Sequence, residues 1–477
     1  MLIFLVVLCI VQVGILWSSQ SGSFPFLSSF FTDSKITTQA SLEEMKREYM
    51  LPYKAVISRG YDNDHIVVPN GSEEYNTLWE GAREYLAEAI KIKPAQIQPI
   101  DEEKWGALVA SKPYYFEFKT QIHVDIVKWV LNIKKSTDSL TGFKKFVLCP
   151  DDPDYNYIDT LYIRDDNNLY TFLLTDYKSD TLEEEEANQI YSSLKSKPNI
   201  HNYKIAVETG IKSTLPQDMI APLSSNTVEE YANITNVPLV GLQGHTSSYS
   251  DYDAIQMELF GEVRSDYIPD EDVYGSVVFK KSDSVYRLYS NSIVEYKTTG
   301  NQSINEKTKL LEAYQKATAF IIDLKARSNY MEGINVYLSS IKEGNNSYIF
   351  KFDYSISQGG QRGEVPLLFK NFKLPNMDQP LDSAITLEAN SKKVLQGRWA
   401  AFRLRVEKNF KEYRWNFPEY LDKAYNSIPE LKNANLPIQG YGIYYVITQQ
   451  KLAERNITPS FVLFNREGSY YVPLNGQ

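Results

Sequence analysis

The first 17 residues of the chain, MLIFLVVLCIVQVGILW, are an unbroken apolar run without a charged side chain, and no later segment is comparable. As a helix with a rise of about 1.5 Å per residue, this run is about 25 Å long, slightly less than the roughly 30 Å hydrocarbon core of a bilayer. A cleaved signal peptide and a membrane anchor both remain open. No basic n-region precedes the run, since the first basic residue is Lys35, so the charge bias that orients a first helix cannot be seen. We favour an uncleaved transmembrane anchor at residues 1–17, followed by a Ser- and Thr-rich tether at residues 18–40, with the rest of the chain extracytoplasmic.

Two residues of the apolar run are candidates for contact with another membrane helix. Helices in lipid associate through small and polar residues, and Gln12 and Gly14 form the one such pair in the run. The alternative is that both residues are tolerated without a role.

Composition limits the classes of partner. The net charge is -10, with 60 acidic and 50 basic residues spread along the chain, so no basic stripe for a phosphate backbone is present. Nucleic acid is therefore not an expected partner. Outside the apolar run, which contains Cys9, the sequence has a single cysteine, Cys149, so an intramolecular disulfide is impossible there. This usage is typical of a cell-envelope protein that is stabilised by its core alone.

Hydrophobic periodicity predicts an α+β fold with mainly antiparallel sheets in three exported domains, residues 41–205, 206–330 and 331–477. In the first domain, Ser72 caps a helix whose first turn contains Glu73 and Glu74 and whose apolar residues recur at helical spacing up to Ile90. The second and third domains each contain a series of strands and one helix, and we expect them to be similar to each other. Their predicted elements include strands at residues 255–261 and 399–406 and helices at residues 305–327 and 418–431.

The candidates for chemistry are weak. The four histidines, His65, His123, His201 and His245, lack metal-ligand spacing and are interpreted as hydrogen-bonded structural residues. Asp151, Asp152 and Asp154 resemble the start of a calcium loop, but Pro153 interrupts it. Ser192 and Lys195 form a Ser-x-x-Lys pattern late in a predicted helix, where a nucleophile is badly placed.

Tyrosine is abundant, with 35 residues, and tyrosine is enriched at recognition surfaces. The Tyr-rich acidic segments TSSYSDYDA and DYIPDEDVYG are interpreted either as aromatic platforms for sugars or peptides or as solvated loops. By elimination, recognition is favoured over catalysis.

Several longer phrases of the sequence resemble a known family. They are PYKAVISRGYDNDHIVVP with EEYNTLWEGAREYL, VYRLYSNSIVEY, YIFKFDYSISQGGQRGEVPLLF with ITLEANSKKVLQGRWAAFRL, and GYGIYYVI with FVLFNREGSYYVPL. Together with the amino-terminal apolar run and the near absence of cysteine, they are similar to the YycH family of regulatory proteins of the YycFG (WalRK) two-component system.

The resemblance implies a function that is not enzymatic. A YycH-like protein has a membrane helix that contacts a sensor histidine kinase (YycG/WalK-like) and exported domains that associate with a sister single-pass protein, YycI. It tunes kinase output for cell-wall metabolism, with no catalytic residue, metal or cofactor. Three exported domains, the second and third alike, are also implied. The alternative, a cell-wall-facing hydrolase or a ligand-binding envelope protein, stays open. A hydrolase would need a pocket where a nucleophile and a base converge, for instance Ser192 and Lys195.

Overall fold

A computed structural model describes residues 50–475 of the chain with short gaps. The gaps are residues 64, 112–113, 138, 150–157, 180, 183, 198–202, 210–214, 223–226, 238, 240–248, 273–274, 300–306, 359–362, 371–380, 435–436 and 455–456. The described residues all belong to one compact unit, Glu48–Gln477.

The first part of this unit is built on a seven-stranded antiparallel sheet. Its elements in chain order are β1 (Lys54–Ser58), β2 (His65–Val68), α1 (Glu73–Lys91), β3 (Gln96–Pro99), α2 (Glu102–Ala110), β4 (Tyr114–His123), α3 (Val124–Val130), β5 (Gly142–Cys149), β6 (Thr160–Arg164), β7 (Asn168–Leu173) and α4 (Glu184–Ser196). The strand order is β2-β1-β4-β5-β6-β7-β3.

Helix α1 forms as the sequence predicts. The Ser72 hydroxyl accepts a hydrogen bond from the Tyr75 N–H at 3.1 Å, and Glu73 and Glu74 lie in the first turn, where the helix dipole favours acid. The predicted apolar stripe is buried on one face of the sheet, where Trp79 packs 5.8 Å from Phe116. On the other face, Trp105 of α2 is buried with Val147 and its neighbours. The sheet therefore lies between two helical layers.

The second part of the unit contains a twelve-stranded sheet and a long two-stranded ribbon. Its elements are β8 (Lys204–Ile205), a 3₁₀ turn (Ala206–Thr209), β9 (Ile220–Ala221), β10 (Thr227–Val237), α5 (Tyr249–Phe260), β11 (Ile268–Glu271), β12 (Val277–Lys280), β13 (Ser284–Leu288), β14 (Ile293–Thr298), α6 (Leu310–Arg327), a 3₁₀ turn (Asn329–Met331), β15 (Ile334–Glu343), β16 (Tyr348–Ser357), β17 (Glu364–Phe369), β18 (Ile385–Ala389), β19 (Val394–Ala400), β20 (Arg403–Trp415), α7 (Phe417–Ser427), α8 (Pro429–Ala434), β21 (Gly440–Ile447), α9 (Gln449–Glu454), β22 (Pro459–Phe464) and β23 (Ser469–Pro473).

The large sheet has the order β11-β12-β13-β14-β19-β18-β16-β17-β21-β22-β23, with β15 paired to β16, and β10 pairs with β20 in the ribbon. Its neighbours are antiparallel except β17 and β21, which are parallel. Strand β14 pairs with β19, so this one sheet contains strands from both sides of the predicted domain boundary at residue 330. The fold class, α+β with mainly antiparallel sheets, is confirmed. The three domain boundaries and the likeness of the second and third domains stay predictions.

Some predicted elements are wrong. Residues 255–260 belong to helix α5 instead of a strand, because Ile255 and Leu259 recur at helical spacing and are both buried. The predicted strand at residues 399–406 is two strands, because β19 ends at Ala400 in the large sheet whereas β20 begins at Arg403 and pairs with β10 in the ribbon. The predicted helix at residues 418–431 is divided into α7 and α8 at Ile428, the residue before Pro429.

Among the described residues, no helix is both long enough and apolar enough to cross a bilayer. The predicted anchor at residues 1–17, with Gln12 and Gly14, lies outside the described residues and stays a prediction.

Candidate functional site

The first sheet meets the large sheet through a tight turn at residues 69–72. Gly363, just before β17, has φ +66°, and a Cβ added there would lie 2.3 Å from the carbonyl oxygen of Asn70. Gly71 has φ +78°, and its ideal Cβ position is 3.3 Å from Oε1 of Glu364. Glycine at position 363 thus permits both the left-handed backbone and the close approach of the two parts.

Close to this contact, the large sheet divides. Strand β17 pairs with β16 through Glu364–Pro366 but reaches β21 only through its second half, where Leu367 pairs with Tyr445 and Phe369 with Ile447. The first half of β17 and residues 441–444 of β21 therefore diverge and line opposite parts of one cavity. We call this divergence the strand fork. The cavity has a volume of about 470 Å³, within the range of small-molecule and peptide sites.

Aromatic side chains dominate the wall of this cavity. The lining includes Tyr53, Tyr75, Tyr203, Tyr231, Tyr337, Tyr441, Tyr444 and Trp415. Burial raises the pKa of Tyr53, Tyr75, Tyr203, Tyr231, Tyr337 and Tyr441, so these phenols are neutral at physiological pH.

Two of these tyrosine hydroxyls donate hydrogen bonds to backbone carbonyls of the protein. The Tyr75 hydroxyl donates to the carbonyl of Pro52 at 2.5 Å, and the Tyr441 hydroxyl donates to the carbonyl of Ile220 at 3.1 Å. The buried Tyr337 hydroxyl differs, because it has no hydrogen-bond partner within the described part of the chain.

Charged side chains of both signs reach the cavity. The carboxylates are Glu364, which accepts from Asn335 Nδ2 at 2.6 Å and from Ser355 Oγ at 2.5 Å, and Glu229, which accepts from Trp415 Nε1 at 3.1 Å. The cations are Lys54, Lys119 and Lys197.

Lys119 has a different environment from the other two cations. Lys197 pairs with Glu74 at 2.5 Å, and Lys54 lies 3.9 Å from Glu117. The Lys119 ammonium hydrogen-bonds the Tyr444 hydroxyl and lies 4.6 Å from the centre of the Tyr444 ring, 5.1 Å from Tyr53 and 5.0 Å from Phe464. Within the described residues, no carboxylate lies within 4.0 Å of this ammonium.

A ladder of alternating charges continues from Lys54 across the first sheet. Glu117 on β4 is paired in register with Lys54 on β1 and with Lys145 on β5. Lys145 in turn donates to Asp218 at 2.5 Å. Burial alone would raise the pKa of Asp218, but the charges of Lys145 and Arg164 outweigh it and lower this pKa to about 2. Asp218 is therefore ionised at neutral pH, whereas burial lowers the pKa of Lys54 at the other end of the ladder.

The residues that the sequence analysis identified as candidates for chemistry are not part of the cavity. Ser192 and Lys195 are exposed on α4. His65 is buried between Ser58 Oγ and Glu208 Oε1, each at 2.9 Å, and the His123 ring accepts from the Asp125 N–H at 3.2 Å. Both are hydrogen-bonded structural residues, as expected. His201, His245 and the aspartates at positions 151, 152 and 154 lie outside the described residues.

Sequence reasoning missed the cavity. Its tyrosines come from positions between 53 and 444 and meet only through long-range strand pairing. The excess of tyrosine was the one available signal, and the two Tyr-rich acidic segments identified in the sequence contribute none of the lining residues.

Comparison with known proteins finds a solved structure with a similar fold. No protein-family model matches the sequence, and no curated protein matches it. The crystal structure of YycH from Bacillus subtilis superposes with a TM-score of 0.51 and 12% identity, covering 89% of this chain and 96% of that chain. The chain has a YycH-like fold. A weaker match, with a TM-score of 0.27 and 8% identity, is an uncharacterized protein from Eubacterium rectale ATCC 33656, which covers 52% of this chain and 82% of that one.

Proposed function

We propose that this chain is a membrane-anchored extracytoplasmic protein that modulates a sensor histidine kinase of the YycG (WalK) type. The observation that supports the proposal is the YycH-like fold, which extends over 89% of the chain. The phrases of the sequence that resemble the YycH family are distributed over the same region. In this proposal the protein is not an enzyme and acts by contact alone, with effects on cell-wall metabolism.

The proposed arrangement has one membrane crossing. Residues 1–17 would be the anchor, and the region that follows would be extracytoplasmic. The partners would be the kinase and a sister single-pass protein of the YycI type. Regulation would then be a coupling free energy between assembly of the exported region and the helices of the kinase, typically about 1 to 3 kcal/mol. Gln12 and Gly14 would form the contact face within the membrane.

The test is recovery of partners from membranes. The full-length chain is purified from detergent-solubilised native membranes, and co-purifying proteins are identified by mass spectrometry. We expect a histidine kinase and a second single-pass protein. Replacing Gln12→Leu and Gly14→Leu together should lower kinase recovery several-fold, because a small and a polar residue are lost from the helix face.

A matched control is available in the same run. Val11→Leu with Val13→Leu changes two neighbouring apolar residues and should leave recovery unchanged. Equal recovery from both double variants would show that Gln12 and Gly14 are not the contact face. Recovery of neither partner with the unaltered chain would refute the regulatory function itself.

The hydrolase alternative would need a pocket where a nucleophile and a base converge; Ser192 and Lys195, the example taken from the sequence, are both exposed on α4. The ligand-binding alternative has a specific observation in its favour, the aromatic cavity at the strand fork.

A further inference from the structure

We infer that the cavity at the strand fork is a binding site for a short peptide in extended conformation that carries a free carboxylate. This inference does not depend on the kinase: it concerns a ligand of the exported region, and it would hold if the membrane partner were different.

The backbone around the cavity favours an extended chain. Residues 364–366 of β17 and 441–444 of β21 diverge instead of pairing with each other, and both segments line the cavity. Strand β2 lies at the edge of the first sheet and contributes Val67 and Val68 to the same lining. Strand segments that are not paired to each other provide main-chain donors and acceptors, which is how an added strand of peptide is bound.

The wall favours a ligand with apolar side chains and polar edges. Tyrosine and tryptophan give a large, rigid contact area with a polar tip, at low cost in side-chain entropy. A peptide strand matches such a wall, since its side chains alternate on the two sides of its backbone. The Tyr337 hydroxyl is buried without a protein partner among the described residues, and an unsatisfied buried donor is costly, so a ligand oxygen is the expected acceptor.

The charges favour a negative group on the ligand. Three ammonium groups and two carboxylates line the cavity, and both carboxylates already accept hydrogen bonds from neutral protein donors. Lys119 directly contacts aromatic rings and a hydroxyl. The carboxyl group of Asp353 acts on it electrostatically from beyond ion-pair distance, so no described carboxylate pairs with this ammonium directly. A carboxylate is the ligand group that complements Lys119 together with the donor of Tyr337. Tyr337 lies near Tyr444, the ring that Lys119 contacts.

The site also includes some of the first residues that the structure describes. Leu51, Pro52, Tyr53 and Lys54 line the cavity, and the sequence before them leads to the apolar run. A peptide in the cavity would therefore contact residues 51–54, which follow the predicted tether of residues 18–40 in the sequence.

The probe is a pool of acetylated pentapeptides of Ala, Val, Thr and Tyr with free carboxyl ends, beside the same pool with amidated ends. Binding to the full-length chain in detergent micelles is measured by equilibrium dialysis with mass spectrometry, up to 1 mM total peptide. We expect saturable binding of a subset of the free-acid peptides, at least ten-fold weaker for their amidated forms. Lys119→Met should weaken that binding at least ten-fold.

Two further variants distinguish binding from folding. Tyr337→Phe removes only a hydroxyl without a described partner, so the thermal unfolding temperature should not fall while peptide affinity drops at least ten-fold. Lys342→Met, on β15 outside the cavity lining, should change neither quantity. The inference is overturned if no peptide binds saturably, if affinity is the same for the amidated pool, or if the Tyr337→Phe protein binds as tightly as the unaltered chain. Chitotetraose is tested in the same dialysis, and saturable binding of this saccharide without binding of peptides would also overturn it.

Discussion

Asp218 is the residue at which the electrostatic argument can be tested most directly. It is 3% exposed, and its carboxylate accepts from Lys145 Nζ at 2.5 Å and from Trp105 Nε1 at 2.7 Å. We consider Asp218→Asn, which preserves the size of the side chain and an acceptor for Trp105 but removes the charge. The substitution leaves Lys145 with Glu117, 3.9 Å away, as its nearest remaining carboxylate.

The expected loss in the free energy of unfolding follows from the shift in the pKa of Asp218. The pKa of Asp218 is lowered from 3.8 to about 2 in the folded protein. A shift of this size, roughly two units at about 1.4 kcal/mol each, corresponds to about 2.5 kcal/mol of folding stability. Removing one partner of a buried pair commonly costs about 3 to 5 kcal/mol, because the other charge stays buried. We therefore expect Asp218→Asn to lower the free energy of unfolding at pH 7 by about 2 to 4 kcal/mol.

The direction of the pKa shift fixes how the stability difference between the unaltered chain and the variant changes with pH. A carboxyl group with a depressed pKa contributes its stability above the unfolded pKa of 3.8, and the contribution is lost as the pH falls towards 2. The unaltered chain should therefore lose stability relative to the variant between about pH 4 and pH 2, and the two should converge at the acid end.

The assay is urea unfolding of the full-length chain, followed by tryptophan fluorescence at pH 7, 4 and 2.5. Asp166→Asn, in an exposed turn of the same sheet, is the control and should change the stability by less than about 0.5 kcal/mol. A loss below about 1 kcal/mol at pH 7, or a difference that persists unchanged at pH 2.5, would refute the reasoning.

Three further predictions follow from single contacts. Ser72→Ala should cost about 1 kcal/mol in urea unfolding, because α1 loses its amino-terminal cap. Asp353→Asn should stabilise the protein at pH 8 but not at pH 4: burial raises the pKa of Asp353 from 3.8 to about 6, so the native aspartate loses stability as the pH rises through that window. Gly363→Ala should cost roughly 1 to 3 kcal/mol and speed hydrogen exchange at residues 69–72, since the added methyl group meets the Asn70 carbonyl.

Local signals predicted the local structure well. The cap at Ser72 and the stripe up to Ile90 define α1, and the turn between β6 and β7 defines their hairpin. The sequence analysis did not predict strand β4, YYFEFKTQIH, although Phe116, Phe118 and Ile122 on one face alternate with Glu117 and Lys119 on the other, as the period of a strand requires. Strand β10 was not predicted either, since it forms by pairing with β20, far along the chain.

The cavity could not be predicted for a related reason. Its position depends on where β17 leaves β21, and that is set by pairing between segments separated by about eighty residues. Lys119 is one of many lysines in the sequence, and its environment exists only after Tyr53, Tyr444 and Phe464 have been brought together.

The contacts that join the first sheet to the large sheet differ in kind from those within either sheet. Inside the first sheet, Phe116 stacks on Phe146 with ring centres 4.8 Å apart, in a buried aromatic core. Between the sheets, Lys119 contacts Tyr444. The Tyr441 hydroxyl donates to the carbonyl of Ile220 at 3.1 Å, and Ile220 lies on β9, which packs in the core cluster with Val56 and Val147 of the first sheet. A cation–π contact contributes about 0.5 to 2 kcal/mol and a neutral hydrogen bond about 0.5 to 1.5 kcal/mol. Regulatory coupling between sites is typically about 1 to 3 kcal/mol, so the change of one or two such contacts is enough to supply it. Because Lys119 and Tyr444 both line the cavity, a ligand that displaces Tyr444 from Lys119 would change one of the contacts that join the two sheets.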